Sequence, residues 1–360
     1  MNDTITVDQM RSKLLTIDTV RESLATTEPL AEHEFSLRDG NAAFSLEGWS
    51  EPLESMATTD AVSAYINVDG KEYQLSKEAL LEATSFIGLK RAYVTRSPGT
   101  LIEPALNYWF RNMDRNLKLL YNSETNRVLA VAKSSIQAFS NLRLLDESLG
   151  GIEKKYGVGE VLADYKFSHD LRRTNIRLIV PEQMRAIRED DTWSAGLQVQ
   201  NSLTGGVVTA IDGYLFRWWC TNGAITTHAT AGQYNRKLHG EENSVYEWAR
   251  KSVDEILGGL EHEFDALEEL AATPLDGSVA DVLADVFEQY RVPITTREQI
   301  IENMVNSDDL TMYGVMQAIT QAANLDGLSE TLRTAILQIG GDLPRAYSSR
   351  CTSCHRIIPS

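Results

Sequence analysis

Cysteine appears only three times in 360 residues, which excludes a disulfide framework and fits a reducing compartment. Long apolar runs are absent too. Stretches such as Leu178-Ile179-Val180 and Val128-Leu129-Ala130-Val131-Ala132 fall far below the roughly 18–20 residues of a spanning helix, so no membrane crossing is expected. Met1-Asn2-Asp3-Thr4 puts no basic stretch ahead of an apolar one, which argues against a secretory leader and leads us to expect a cytoplasmic protein. No Gly-x-x-x-x-Gly-Lys-Ser/Thr loop occurs. Gly150-Gly151 and Gly157-Val158-Gly159 do not join a strand to a helix in the pattern, so a nucleoside triphosphatase is disfavoured. What is present is globular, 42% hydrophobic and 24% charged, over a length that suggests two domains or one with a helical extension.

Basic residues are in the minority, 34 against 51 acidic for a net charge of −17, which by itself disfavours a polyanionic partner. Their distribution points the other way. Residues 1–60 hold 4 basic and 12 acidic side chains, residues 251–345 hold 5 and 18, and residues 90–188 hold 17 and 10. Phosphate contacts act within about one Debye length, roughly 8–10 Å, so a basic centre on an acidic chain suits a polyanion.

The periodicities predict an α+β fold: a central antiparallel meander, then a long helix and a C-terminal helical region. Residues 1–60 read as an acidic segment, with a short helix over Met10–Leu24 and then loosely ordered chain. An α+β core occupies 61–240. Within it, Tyr65–Leu75 forms a hairpin around Asp69-Gly70, and Ser76 caps a helix. Leu101, Ala105, Leu106 and Trp109 fall at helical spacing, and residues 117–132 form a second hairpin. Alternation over 161–167, 175–180, 193–199 and 207–220 gives four strands with one buried face. Helices follow over 241–345, with a capping box at Ser244 and helix starts at Ser278 and Thr295, and 346–360 is a mobile tail.

Three constellations carry candidate chemistry. Cys220 with His228 or His239 would serve a cysteine nucleophile, although the thiol equally suits packing at a strand end. Cys351-x-x-Cys354-His355 offers at most three zinc ligands with no second pair, so little zinc and no cofactor are expected. The third is basic. Lys154, Lys155, Lys166, Arg172, Arg173, Arg177, Arg185 and Arg188 gather around the first hairpin of the meander, and Arg217 shares a strand face with Trp219. A positive groove with an aromatic to stack a base is what single-strand binding requires, at about 1–3 kcal/mol per stacked base. A solvated basic hairpin over a tryptophan-bearing core fits the same residues.

Asn201-Ser202-Leu203-Thr204-Gly205-Gly206, the strand Tyr214-Leu215-Phe216-Arg217-Trp218-Trp219-Cys220-Thr221-Asn222-Gly223, and Leu238-His239-Gly240 resemble the phage/plasmid-like family known as domain of unknown function 932. Leu106-Asn107-Tyr108-Trp109 is similar to its Leu-Asn-His-Trp, with Tyr108 in place of His. Thr311-Met312-Tyr313 through Asn324 resembles its C-terminal element, with Gln317-Ala318 in place of Asn-Ala. Asn141 stands where an Asp is usual. The likeness spans roughly residues 80–325. More distantly, four antiparallel strands and then a long helix resemble phage single-strand annealing proteins of the RecT and Red-beta kind.

The resemblances imply a phage or plasmid setting; with the exposed edges and the basic cluster they lead us to expect a homo-oligomer that binds single-stranded DNA in recombination or replication, through Lys154, Lys155, Lys166, Arg172, Arg173, Arg177, Arg217 and Trp219 of that cluster. Two alternatives stand beside this expectation: an enzyme built on Cys220, and a host-directed interaction factor working through the acidic C-terminal helices.

Overall fold

A computed structural model describes residues 7–26, 30–37, 40–46, 64–157, 159–164, 168–169, 173–189, 191–203, 208–218, 223–226, 242–275 and 277–348. Elements are numbered in chain order. The larger sheet contains β1 (Leu15–Thr16), β8 (Leu162–Ala163), β9 (Ser168–His169), β10 (Thr174–Arg188), β11 (Asp191–Asn201), β12 (Ala210–Arg217) and β13 (Gly223–Thr226). Its order is β1-β8-β10-β11-β12-β13, with β9 also on β10.

The expected meander exists, with different strand bounds and one strand more. Among the described residues the first expected strand contributes Leu162–Ala163, the other three are β10, β11 and β12, and β13 extends the meander beyond them. β10 does not end at Val180. It continues past Pro181 to Arg188, and its register against β11 shifts between Ile179 and Met184, a bulge that accommodates a residue with no N–H to donate.

The long α7 (Glu242–Ala272) begins two residues before Ser244 and crosses one face of this sheet. Gly213 makes that approach possible, because a Cβ there would meet Thr226 Oγ1 at 2.3 Å and Leu260 Cδ2 at 3.1 Å. Four more helices follow: α8 (Val279–Gln289), α9 (Ile294–Ser307), α10 (Met312–Ala322) and α11 (Glu330–Ser348). Ser278 caps α8 by accepting from Asp281 N, as its spacing predicts. α9 starts at Pro293-Ile294, ahead of the expected Thr295, because a proline suits the edge of a first turn.

One helix is missed by periodicity. α6 (Asn141–Tyr156) carries Gly150-Gly151 in its interior, a pair that reads as a break. The structure gives Gly151 a packing reason: its Cβ would lie 2.3 Å from Val253 Cγ1 of α7. Gly150 faces open space.

The second sheet has the order β2-β6-β7-β5-β4-β3, from β2 (Leu30–Ser36), β3 (Ala42–Ser45), β4 (Tyr65–Val68), β5 (Lys71–Leu75), β6 (Asn116–Asn122) and β7 (Arg127–Lys133). Both expected hairpins form. Asp69 and Gly70 have φ of 51° and 81°, the left-handed pair of a type I′ turn. Ser76 caps α3 (Lys77–Phe86) by accepting from Ala79 N. α4 (Arg91–Arg96) and α5 (Gly99–Arg111) follow.

The helical spacing over α5 holds, and only part of it faces inward. Ile102, Leu106 and Phe110 are buried, whereas Leu101 and Trp109 face outward. The buried side docks on edge strand β3. Asn107 donates Nδ2 to Phe44 O at 2.9 Å and accepts Phe44 N at 2.8 Å, and Glu103 accepts Leu46 N at 2.7 Å. Side chains thus complete hydrogen bonds that a further strand would supply, closing an edge that otherwise invites pairing.

The N-terminal expectation is corrected. Residues 7–25 form α1 (Val7–Arg11) and α2 (Ile17–Ala25) on either side of β1, and 30–45 supplies two strands. β2 escapes a periodicity reading because it lies at a sheet edge with only Phe35 buried. Two main cores result. One joins α1–α2 with residues 139–346, and the other lies within 35–131, so the core boundaries do not coincide with the divisions at 60 and 240.

The two α6 glycines generate opposite expectations. Gly150→Ala gains about 0.5–1 kcal/mol of helix propensity, while Gly151→Ala forces the stiff Val253 aside and loses about 1–3 kcal/mol. Urea unfolding midpoints of the two variants check this. Equal shifts would contradict the close α6–α7 contact.

Candidate nucleic-acid interface

The basic centre of the chain is largely turned inward. Register places Asp164, Arg177, Gln198 and Asp212 side by side on one face of the meander, opposite the face that packs on α7. Arg177 and Asp164 are each only 2% exposed at the side chain, 3.7 Å apart. Arg177 also donates Nε to Gln198 at 3.0 Å and pairs with Glu330 of α11. Tyr214 donates to Asp164 at 3.2 Å. Burial pushes the Tyr214 phenol well above its ordinary pKa, and the Asp164 charge adds to the shift, so the hydroxyl stays protonated as a donor.

Arg217 is occupied in the same way. Its Nε and Nη2 grip Asp191 at 2.6 and 2.7 Å, a buried bidentate pair. Tyr313 and Gln317 of α10 donate to the same carboxylate at 2.5 and 2.9 Å, and Trp193 donates to Tyr313 at 2.7 Å. Burial, then the Asp191 charge, raises the Tyr313 pKa. Expecting Arg177 and Arg217 to line a phosphate groove is therefore incorrect: each is buried and neutralised by carboxylates of its own chain.

The cations at the margin are partly engaged. Arg185 forks onto Glu268 at 2.7 and 2.9 Å and reaches Asp265 at 2.8 Å. Arg188 pairs with Asp309 at 2.6 Å and donates to Ala271 O at 3.0 Å. The acidic helices expected to face a partner protein thus spend several carboxylates on the sheet. Half-buried Arg173 donates to Thr331 at 2.6 Å. Lys154 and Lys155 stand exposed at the end of α6, Lys154 paired with Asp254. Lys166, Arg172, Trp219, Cys220, His228, His239, Cys351, Cys354 and His355 lie outside the described residues.

A cavity of about 370 Å³ opens beside the β10 bulge between Ile17, Ile152, Val161 and Val180. Its rim carries Glu153 and Glu182 and its lining no cation, which suits no phosphate. Among the described residues no cluster of His, Cys, Asp or Glu could hold a metal ion, and no helix is long and apolar enough to cross a membrane. No family model, curated protein or solved structure matches the chain.

Several residues of the motif-like segments converge on the interior. Asn201 donates Nδ2 to Phe139 O and Asn141 Oδ1, both at 2.8 Å, and accepts Thr209 Oγ1 at 2.9 Å. With Arg217, Tyr313 and Gln317 it forms polar cross-braces that strand and helix periodicities do not reveal. The available signal was the position of Arg217 between strand residues whose neighbours are apolar.

Because a buried pair that loses one member leaves the other uncompensated, Arg177→Ala and Arg217→Ala should each cost about 3–5 kcal/mol of stability, against less than about 0.5 for Lys155→Ala. Chemical unfolding distinguishes this from a surface role, which would leave all three near wild type.

Asp212 gives a pH signature. Burial, then Asp342, pushes its carboxyl up to about 7, above an unfolded value of about 3.9. Between those values the folded chain holds a proton that the unfolded chain lacks, so this group makes stability fall as pH rises from about 4 to 7, with no further change above. Asp212→Asn should flatten that decline and be the more stable form at pH of about 8. An unaltered profile of unfolding midpoint against pH would refute the assignment.

Proposed function

We propose that the chain binds single-stranded nucleic acid and assembles side by side, bringing strands together in phage or plasmid recombination or replication. The observation that carries this reading is the long β10–β11 hairpin, continued by β12 and β13, with the 31-residue α7 as the next described element. This is the order of elements that resembles single-strand annealing proteins, a likeness of architecture that leaves the chemistry to be tested.

The hairpin supports assembly through its edge. β8 and β9 pair with β10 only over residues 174–179, and among the described residues no strand pairs with the outer side of Pro181–Arg188. A free edge of this length is a template for another copy. Lys154 and Lys155 are exposed just ahead of the sheet in sequence, and the buried arginines take no part in contact with phosphate.

The test is a salt series of binding to labelled single strands and duplex of equal length, with light scattering on the full chain. Tighter binding to single strands is expected, with the logarithm of affinity falling by about 0.7 per phosphate contact for each decade of salt, together with a homo-oligomer. Absence of single-strand binding at low salt overturns the reading. A concentration-independent monomer, with and without DNA, removes annealing from it.

A further inference from the structure

Helix α5 is apolar on both sides, and among the described residues only one side is buried in a core. Ile102, Leu106 and Phe110 are buried in the smaller core, while Leu101 is 58% exposed, Tyr108 62% and Trp109 49%. At 100° per residue, Leu101, Pro104, Ala105 and Tyr108 fall in one stripe along the outward surface, with Trp109 at its border. A helix that is apolar all round is ordinarily buried all round. The outward residues do not anchor α5, because Asn107, Glu103 and Phe110 on its other flank already fix it to β3 through the Phe44 and Leu46 backbone and the Phe44 ring.

Charge narrows the choice of occupant. Residues 90–115 carry five basic and two acidic side chains on a chain of net charge −17. Arg111 is exposed one turn beyond Tyr108, and Arg115 is exposed just past the helix end. Of the two acids, Glu103 faces the β3 backbone. Tyr108 and Trp109 stand edge to face, centroids 5.6 Å apart and planes at 84°, so their ring faces point in different directions. Unpaired bases supply flat apolar faces and phosphates together; bases in a duplex already stack on one another. A second copy docking this face on itself would bring like charges together.

We propose that the outward face of α5 is a base-stacking platform for single-stranded nucleic acid, with Tyr108 and Trp109 holding bases and Arg111 and Arg115 meeting the flanking phosphates. The proposal rests on the single-strand-binding reading, and it places the contact on the smaller core, away from the sheet face where Arg177 is buried. The platform is preorganised, since α5 is pinned by its opposite flank before any ligand arrives.

The experiment uses the full chain and a labelled oligothymidylate, with anisotropy read across a salt series and urea midpoints checking the fold of each variant. Combining Tyr108→Ala and Trp109→Ala should weaken binding by about 10-fold or more, while Trp109→Phe, which keeps a ring, retains most of the affinity. Combining Arg111→Gln and Arg115→Gln should reduce the salt slope by about 1.4, at about 0.7 per phosphate. This second pair decides the matter if the aromatic pair fails to fold. Wild-type binding that neither pair alters overturns the platform and leaves the single-strand reading standing. No wild-type binding overturns both. Lost self-association with unaltered DNA affinity in the aromatic pair assigns the face to contact between copies and overturns the platform.

Discussion

The Arg217–Asp191 pair is the contact on which the larger half of the molecule turns. Both members sit on the meander, yet the carboxylate is completed only by Tyr313 and Gln317 from α10. An ion pair removed from water is tolerated when its remaining lone pairs are satisfied. The sheet therefore carries a buried charge whose solvation is finished by a helix about 120 residues later in the chain. Arg177 repeats the arrangement with Glu330 of α11. Apolar contacts between sheet and helices are non-directional, whereas these two bridges specify where α10 and α11 must lie.

This coupling explains the charge distribution. The positive middle of the sequence and its negative C-terminal region suggest an outward-facing groove and a separate acidic surface. In the fold they are partly two sides of one interface: Arg177, Arg185 and Arg188 take Glu330, Glu268 and Asp309. Charge of one sign clustered in sequence signals a polyanion partner only if the opposite sign does not lie elsewhere in the same chain. Here it did, and the composition alone cannot distinguish an internal polyanionic partner from an external one.

The sequence was most legible where a local rule acts alone. Asp69-Gly70 fixed a turn, Ser76 and Ser278 fixed helix starts, and alternation over 175–180, 193–199 and 207–220 revealed the meander, because each depends on neighbours within a few residues. It was least legible where tertiary contact overrides propensity. Gly150-Gly151 looks like a break and is helical, since Gly151 makes room for Val253. β2 shows little alternation because an edge strand buries little. For the candidate site, the residue types were visible but their orientation was not: alternation put Arg217 on one strand face without saying that Asp191 already occupied it.

α5 separates two roles within four consecutive residues. Leu106 fills the smaller core and Asn107 closes the β3 edge, so both are accounted for by folding. Tyr108 and Trp109 project away from that contact and stay 62% and 49% exposed. A helix needs only one apolar face to dock, and its exposed turns are ordinarily filled by charged residues with equal or better helix propensity. Two adjacent aromatic residues on the wet side therefore forgo favourable surface chemistry without adding to either core. Folding accounts for the inward half of this helix, and the outward half is the part of it that the proposed single-strand contact would use.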